Sequence, residues 1–460
     1  MGTDTLLDTL FVLGCALAVF FMNAGFALLE TGLCRARNAA SVLAKNFAVF
    51  GIAGLAYWGV GYGLMYGASD GALGGLVGSS GFFPDGTGAS PAAIPEAAFF
   101  FFQLAFVATA ASIVSGAVAE RTSYRAYLAF CAVCCAIVYP LVGHQVWGGG
   151  WLSQLGFVDY AGSTAVHATG GTAALVGAWL VGPRSGRYDA QGRARALHGH
   201  SLSLATLGTF ILWLGWFGFN AGSGLAFDEA ALRVVLTTAL ASAAGVVAST
   251  LTAWMRLGKP ELTMTLNGCL GALVSITAGC AVVTPAAAVV IGAIGGTLAV
   301  IAVPLFDRLR IDDPVGAVAV HLVGGVFGTL AVGLFAHPDF AQRSGLLHGG
   351  GVGLLAVQLL GVAAVICFVG VSSLCLFAAI RATIGLRVSA MEESIGLDRA
   401  EIGVPAYGEE LGHAAPPAAE LVAAPAGRRR IFRVRGVGMS VGSAAPQAVG
   451  RSQLLQPPEA

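Results

Sequence analysis

The chain has 460 residues and a formal net charge of zero, with 10% charged residues against 56% hydrophobic ones and a mean hydropathy of +0.79. A soluble globular domain carries roughly 25% charged residues, so composition excludes that class and leaves an all-α polytopic membrane protein.

In chain order, apolar stretches near the roughly 20 residues that cross a hydrocarbon layer fall at 9–29, 47–65, 99–119, 126–146, 159–181, 202–222, 230–255, 264–283, 286–306, 315–335 and 349–379. They predict eleven transmembrane helices. Glycine and proline inside them would break soluble helices. In a membrane, neighbouring helices satisfy the freed backbone groups, and small residues allow close packing. Basic residues then set the orientation. Arg35, Arg37, Lys45, Arg121, Arg125, Arg184, Arg187, Arg193, Arg195, Arg256, Lys259, Arg308 and Arg310 fall on one side, against Arg233 and Arg343 on the other. The expectation is an outside N-terminus and a cytoplasmic C-terminus in a cell membrane, plasma or inner. No basic segment precedes the first stretch, so it is read as a retained helix and not a cleavable signal.

One pattern occurs twice, 154 positions apart: Asp159, Gly162, Val166, His167, Gly170 and Gly171, then Asp313, Gly316, Val320, His321, Gly324 and Gly325. Glycine is abundant, at 66 residues, but there are only eight histidines, so the matched histidines carry the argument for duplication. Five predicted crossings separate the copies. An odd number means that they enter from opposite faces, an inverted 5+5 repeat with the last helix outside it. Asn23 to Gly25 against Asn220 to Gly222 is a fainter echo. Each histidine lies eight residues beyond its aspartate, about 12 Å along a helix. From opposite sides of a layer about 30 Å thick, both rings approach the midplane.

Intramembrane histidines are costly and mark function by default. A neutral imidazole has one donor and one acceptor nitrogen, so two facing rings can relay a proton by exchanging tautomers. The alternative is that each satisfies a neighbouring helix carbonyl. Phe106, Trp147 and Phe219 gather toward outer helix ends, where they either hold a cation by cation–π attraction, with Ser223 as acceptor, or anchor the helices at the interface. Asp159 and Asp313 each begin a helix, where a carboxylate caps free N–H groups. For Asp159 an electrostatic role beneath the cation site is a second reading. Of nine cysteines, Cys131, Cys134 and Cys135 cluster in the fourth stretch; no zinc-ligand spacing accompanies them, and helix packing is the preferred reading over a metal site.

Beyond Arg387 hydropathy collapses. The chain divides into a transmembrane domain, 1–384, an acidic, helix-compatible cytoplasmic regulatory segment, 385–412, and an Ala-, Pro- and Gly-rich tail, 413–460, expected to be disordered. The tail carries a basic patch at Arg428, Arg429, Arg430, Arg433 and Arg435, a candidate for anionic membrane lipid or for plain solvation.

The motifs are similar to those of the ammonium transporter family, Amt/Mep/Rh, on its Amt side. They are "GFALLETG" with "RARN" and "KN", "FFQLAF" with "GAVAER", "DYAGSTAVHATGG", "WFGFNAGS", "DDPVGAVAVHLVGG" and "GLRVSAMEESIGLD", spread over residues 9 to 407. The resemblance implies a homotrimer with one pore per subunit and ammonium as substrate. By motif position His167 and His321 become the paired pore histidines, Phe106 and Phe219 a stacked gate, and Trp147, Ser223 and Phe106 an outer ammonium site. Asp159 becomes the aspartate needed for transport and Trp216 a pore-lining residue. Where the family often has Glu-His-Gly-Glu, this chain reads Glu401, Ile402, Gly403, Val404, which leaves docking of a PII-type regulatory protein open.

A bare cation entering a low-dielectric pore faces an idealised cost of tens of kcal/mol, and a few cation–π contacts return about 0.5 to 2 kcal/mol each. The expected route is therefore deprotonation near the gate, passage of ammonia along the histidines and separate movement of the proton. Three rivals remain. One is an ammonium sensor, for which the roughly 50 residues after Tyr407 are too few to hold a kinase or cyclase. Another is an electroneutral gas channel of the Rh type, and the third is a membrane enzyme. The transporter reading calls for no cofactor, metal or nucleic acid.

Overall fold

Helix is the only extended regular structure among the described residues, 2–69 and 75–408, of this computed structural model; two isolated β-bridges, Thr122 with Arg387 and Tyr188 with Ala194, are the exceptions. Among the described residues ten helices are long and apolar enough to cross a membrane: α1 Thr3–Leu33, α2 Ala36–Tyr66, α3 Glu96–Ala117, α4 Tyr124–Gln154, α5 Ser163–Val181, α6 Leu202–Gly222, α7 Glu229–Leu257, α9 Pro285–Arg308, α10 Val318–Phe335 and α11 Gly353–Thr383. Between α7 and α9 lies a shorter apolar helix, α8, Leu262–Thr277. A short helix, α12, Ala390–Ile395, follows the bundle. The basic patch and the 413–460 tail lie outside the described residues.

Local sequence sets several helix starts. Ser123, Ser201, Asp228, Glu261 and Thr284 each accept a hydrogen bond from a first-turn N–H, of Ala126, Leu204, Ala231, Met264 and Ala287 respectively. These are N-caps, satisfying donors that a helix leaves open. Apolar side chains such as Phe47 and Met255 are 88% and 79% exposed. Such a surface suits lipid and not water; with ten spanning helices it makes this a multi-pass membrane protein.

α6 coincides with the predicted 202–222 stretch. α8 ends six residues short of the predicted 283, for a reason visible in the backbone. The Ser163 hydroxyl donates to Val274 O at 2.7 Å and accepts from Ala278 N at 2.7 Å, standing in for the helical bond between those two residues. Tyr160 N and Ala161 N then bind the carbonyls of Ala278 and Thr277. A side chain inserted into the hydrogen-bond ladder ends the helix.

α1 packs chiefly on α6 and α3, while α7, α8 and α9 pack on one another and α5 lies against α10 and α11. At the end of the bundle bearing Arg35 and Arg184, charged groups pair, some of them buried and some half-buried. Arg184 binds both oxygens of Asp312, at 2.9 Å each, and approaches Glu120 at 3.4 Å. Glu120 also pairs with Arg35, and Arg187 with Asp307. Burial pushes the Asp312 carboxyl up, but the hydrogen bonds and charges of Arg184 and Arg121 outweigh it and hold the group at about 2.

The acidic segment after α11 lies along this end. Val388 N binds Arg121 O at 3.1 Å, and Ser123 N binds Leu386 O at 3.1 Å. Asp398 accepts from Ser41 N at 2.8 Å and Glu401 from Tyr124 N at 2.9 Å. Ser389 and Glu392 form a capping box at the start of α12.

Candidate functional site

α5 and α10 begin alike. Asp159 accepts from Gly162 N at 3.0 Å with one oxygen, and from Thr164 N at 2.9 Å and Ala165 N at 2.8 Å with the other. Asp313 accepts from Gly316 N at 3.0 Å and, with its second oxygen, from Val318 N at 2.7 Å. The chain folds over each carboxylate because Gly162 and Gly316 adopt φ of 107° and 78°, which glycine reaches without steric cost. Both aspartates are therefore helix caps in geometry. A π-helical turn follows in each, Ser163–Ala168 and Val318–Val323, and each turn carries a histidine. Such widened turns redirect side chains and recur at functional positions.

The two helices touch where their sequences are small. A Cβ on Gly171 would lie 2.4 Å from Leu322 N, and one on Gly325 would lie 2.3 Å from Ser163 O. Only glycine permits that approach, and it brings the histidines together. His167 Nδ1 and His321 Nδ1 are 3.2 Å apart, with rings 5.3 Å between centroids and 20° from parallel. His167 is fully buried and His321 nearly so. A shared Nδ1 contact requires one ring to donate and the other to accept, so two neutral rings hold opposite tautomers. Neither histidine binds a helix carbonyl through Nδ1.

The other predicted residues continue from His167 in one line. Trp216 stacks on it at 5.0 Å and 16°, its indole N–H donating to Thr277 Oγ1 at 2.8 Å. Phe219 is 5.5 Å from His167 and stacks on Phe106 at 4.0 Å and 22°. Rings at that separation are in van der Waals contact, so nothing passes between them unless a ring moves. Phe106 meets Trp147 edge-on at 6.3 Å. The Trp147 indole N–H donates to Asp159 O at 2.8 Å. Ser223, one turn beyond Phe219, donates its hydroxyl to the Phe219 carbonyl at 2.8 Å and keeps its oxygen lone pairs available. Both Asp159 oxygens face backbone N–H groups, and its link to the aromatic cluster is the hydrogen bond from Trp147 to its carbonyl.

Past His321 the line reaches residues that motif spacing did not single out. Phe26 lies 6.2 Å from the His321 ring. A cavity whose water-accessible volume is ≈ 20 Å³ is lined by His321, Phe26, Glu30 and Asn267. Glu30 is 2% exposed. Its Oε2 accepts from Asn46 Nδ2 at 2.8 Å and from the Ser115 hydroxyl. Among the described residues no group of three or more His, Cys, Asp or Glu side chains has metal-site geometry. Cys131, Cys134 and Cys135 are buried in the helix core.

The sequence profile described as Ammonium Transporter Family matches residues 10–407. A relative named Ammonium transporter Amt2, from Archaeoglobus fulgidus, is 43% identical over 417 residues, covering 87% of this chain and 88% of its own. The Ammonium transporter of Bacillus subtilis is 34% identical over 88% of this chain and 99% of its own. Among solved structures, one described as Sensor Amt Protein superimposes with a TM-score of 0.82 at 38% identity, over 86% of this chain and 98% of that one. Candida albicans Mep2 superimposes with a TM-score of 0.77 at 29% identity, over 84% and 87%.

Proposed function

Because the chain belongs to the ammonium transporter family, a family of multi-pass membrane proteins that move ammonium, we propose a route by which it does so. Ammonium is recruited at an outer site of Phe106, Trp147, Phe219 and Ser223. It loses a proton at the gate, ammonia crosses the histidine-lined section, and the proton moves separately. The observation that carries this reading is the Nδ1 to Nδ1 contact of His167 and His321 directly behind the stacked Phe106 and Phe219.

Recruitment follows from the aromatic faces and the Ser223 oxygen, which attract a small cation that can also donate hydrogen bonds. Each cation–π contact is worth about 0.5 to 2 kcal/mol. That falls well short of the tens of kcal/mol that a bare ion costs in a dry channel, so the ion goes no further as an ion. Asp159 supports the site electrostatically from below, and its hold on Trp147 keeps the indole in place. Trp216 lines the pore and keeps the His167 face apolar. The histidine pair then has a definite behaviour. A proton arriving at the outward nitrogen of one ring moves the shared Nδ1 proton across, and a proton leaves the outward nitrogen of the other; the pair ends with its tautomers exchanged. Potassium, which has no proton to lose, is rejected.

The same reading includes eleven crossings, with α8 as the eighth, arranged as an inverted 5+5 repeat with α11 added. The matching caps and π-turns of α5 and α10 support it. It places the N-terminus outside, the docked segment up to Gly408 in the cytoplasm as the regulatory element, and three copies in a trimer. A PII-type protein and anionic lipid are candidate partners at the cytoplasmic face.

Sensing is the second reading, supported by the likeness to the structure described as Sensor Amt Protein. It is less favoured because the relatives above are named as transporters, and the same names disfavour the enzyme reading. Growth of an ammonium-transport-deficient cell on limiting ammonium separates the two. Restored growth, lost with His167→Ala and His321→Ala together, is the expected result; no restoration by a protein that reaches the membrane favours the sensor.

A further inference from the structure

The mechanism above releases a proton from the outward nitrogen of His321 and names nothing that takes it. The side chain on the far side of His321 that can receive a proton is Glu30. It lines the same cavity as His321, is almost wholly buried, and sits in the last turn of α1. The cavity's ≈ 20 Å³ exceeds the roughly 10–15 Å³ that one water needs. His321, Glu30 and Asn267 give such a water polar partners. A carboxyl buried in a membrane bundle is expensive and calls for a reason.

We propose that Glu30 is the inner proton acceptor of this pore, taking the proton from His321 through water in the cavity between them and passing it to the inner solution. The proposal rests on the proton-and-ammonia reading above. In the step, His321 gives a proton from its outward nitrogen to the cavity water, and that water gives one to the Glu30 carboxylate. The water ends unchanged, the carboxyl is neutral, and ammonia leaves by diffusion. Release of the proton restores the carboxylate.

The surroundings of Glu30 fit a group that alternates between charged and neutral. Asn46 Nδ2 and Ser115 Oγ both donate to Oε2 and so stabilise the carboxylate. The charged and titratable groups acting on it are Lys45 from α2 and Asp313 ahead of α10, with His321 across the cavity, Cys34 at the end of α1 and Tyr127 from α4. Lys45 is buried and binds the carbonyl of Thr122 at 2.8 Å, at the end of the bundle where the acidic segment docks. Asp313 has both oxygens committed to backbone N–H groups and is not a rival acceptor.

The test uses the full chain reconstituted in vesicles, with two readouts on each variant: ammonium-evoked current, which follows the proton, and alkalinisation of the lumen by an ammonia gradient, which follows neutral ammonia. Glu30→Gln keeps the shape and an acceptor oxygen but takes no proton. It is expected to lower the current by about a hundredfold, the lower end of what a positioned proton-transfer group contributes, while ammonia permeation stays within about twofold. Glu30→Asp is expected to recover much of the current. Current retained in Glu30→Gln overturns the proposal. A parallel fall of both readouts, with no rescue by Asp, also overturns it, because that is the signature of a packing role. Absence of current in the unsubstituted protein means instead that the underlying proton-coupled reading has failed.

Discussion

Asp159 and Trp147 are bound to each other's surroundings by short contacts. Three backbone N–H groups of the α5 start converge on the Asp159 carboxylate, and its own carbonyl holds the Trp147 indole at 2.8 Å. Replacing the carboxylate therefore acts on two things at once. Asp159→Ala is expected to lower stability by about 1–2 kcal/mol, the range for a lost cap, and to abolish transport. Asp159→Asn keeps one acceptor oxygen and should recover most of the stability but not the transport. Thermal unfolding and uptake, measured side by side, check this; full transport by Asp159→Asn would show that the charge has no electrostatic role. At this scale the histidines were legible because histidine is scarce and the two share one pattern. Glu30 and Lys45 were not. The predicted apolar stretches end at 29 and resume at 47, so Glu30 falls outside them and Lys45 counts only among the basic residues of one side. The helices instead run through them, α1 to Leu33 and α2 from Ala36, and bury both.

Elements explain why the two histidines meet at all. Hydropathy placed α6 and α9 nearly to the residue, since their ends coincide with Ser201 and with Thr284–Pro285, which cap and start helices. It did not foresee the end of α8, because Ser163, which ends it, comes from more than a hundred residues away in sequence. It did not foresee the π-turns either, since an extra residue in one turn leaves no mark on apolar periodicity. What the spacing did carry was Gly171 and Gly325. Each is the point where one histidine-bearing helix presses on the other's turn. Gly171→Val puts a side chain where Leu322 N stands. It is expected to cost about 1–3 kcal/mol through overpacking, to separate the rings beyond hydrogen-bond distance, and to reduce ammonium current more than ammonia permeation. The same assay applied to Gly177→Ala, at a site that meets only side chains at 3.0 Å or more, should show a much smaller effect.

On the scale of the whole molecule, the histidine pair lies between two differently built ends. One end is aromatic and presents Trp147, Phe106 and Ser223. The other is ionic, with Arg184, Asp312 and Glu120 buried together and the 386–407 segment laid over Arg121, Ser41 and Tyr124. That ionic end is expected to hold the bundle closed. Asp312→Asn leaves Arg184 with Glu120 alone and should cost about 3 kcal/mol, at the low end for a broken buried pair. The pH dependence has a definite sign. The folded carboxyl sits at about 2, below its ordinary value of 3.8, so its contribution is complete above about pH 4 and is lost as pH falls through the folded value. The stability gap between Asp312→Asn and the unsubstituted protein should therefore be constant from pH 7 to pH 5 and close below pH 4. A gap that closes on raising the pH would contradict the pairing.

The central claim, that ammonium gives up its proton at the gate and the proton crosses by way of His167 and His321, is met most directly by one recording. Protein reconstituted on a solid-supported membrane is given an ammonium pulse, with potassium as control. The account predicts a current with ammonium, none with potassium, and loss of the ammonium current in His167→Ala with His321→Ala. A potassium current of similar size, or an ammonium current that survives loss of both histidines, would contradict it.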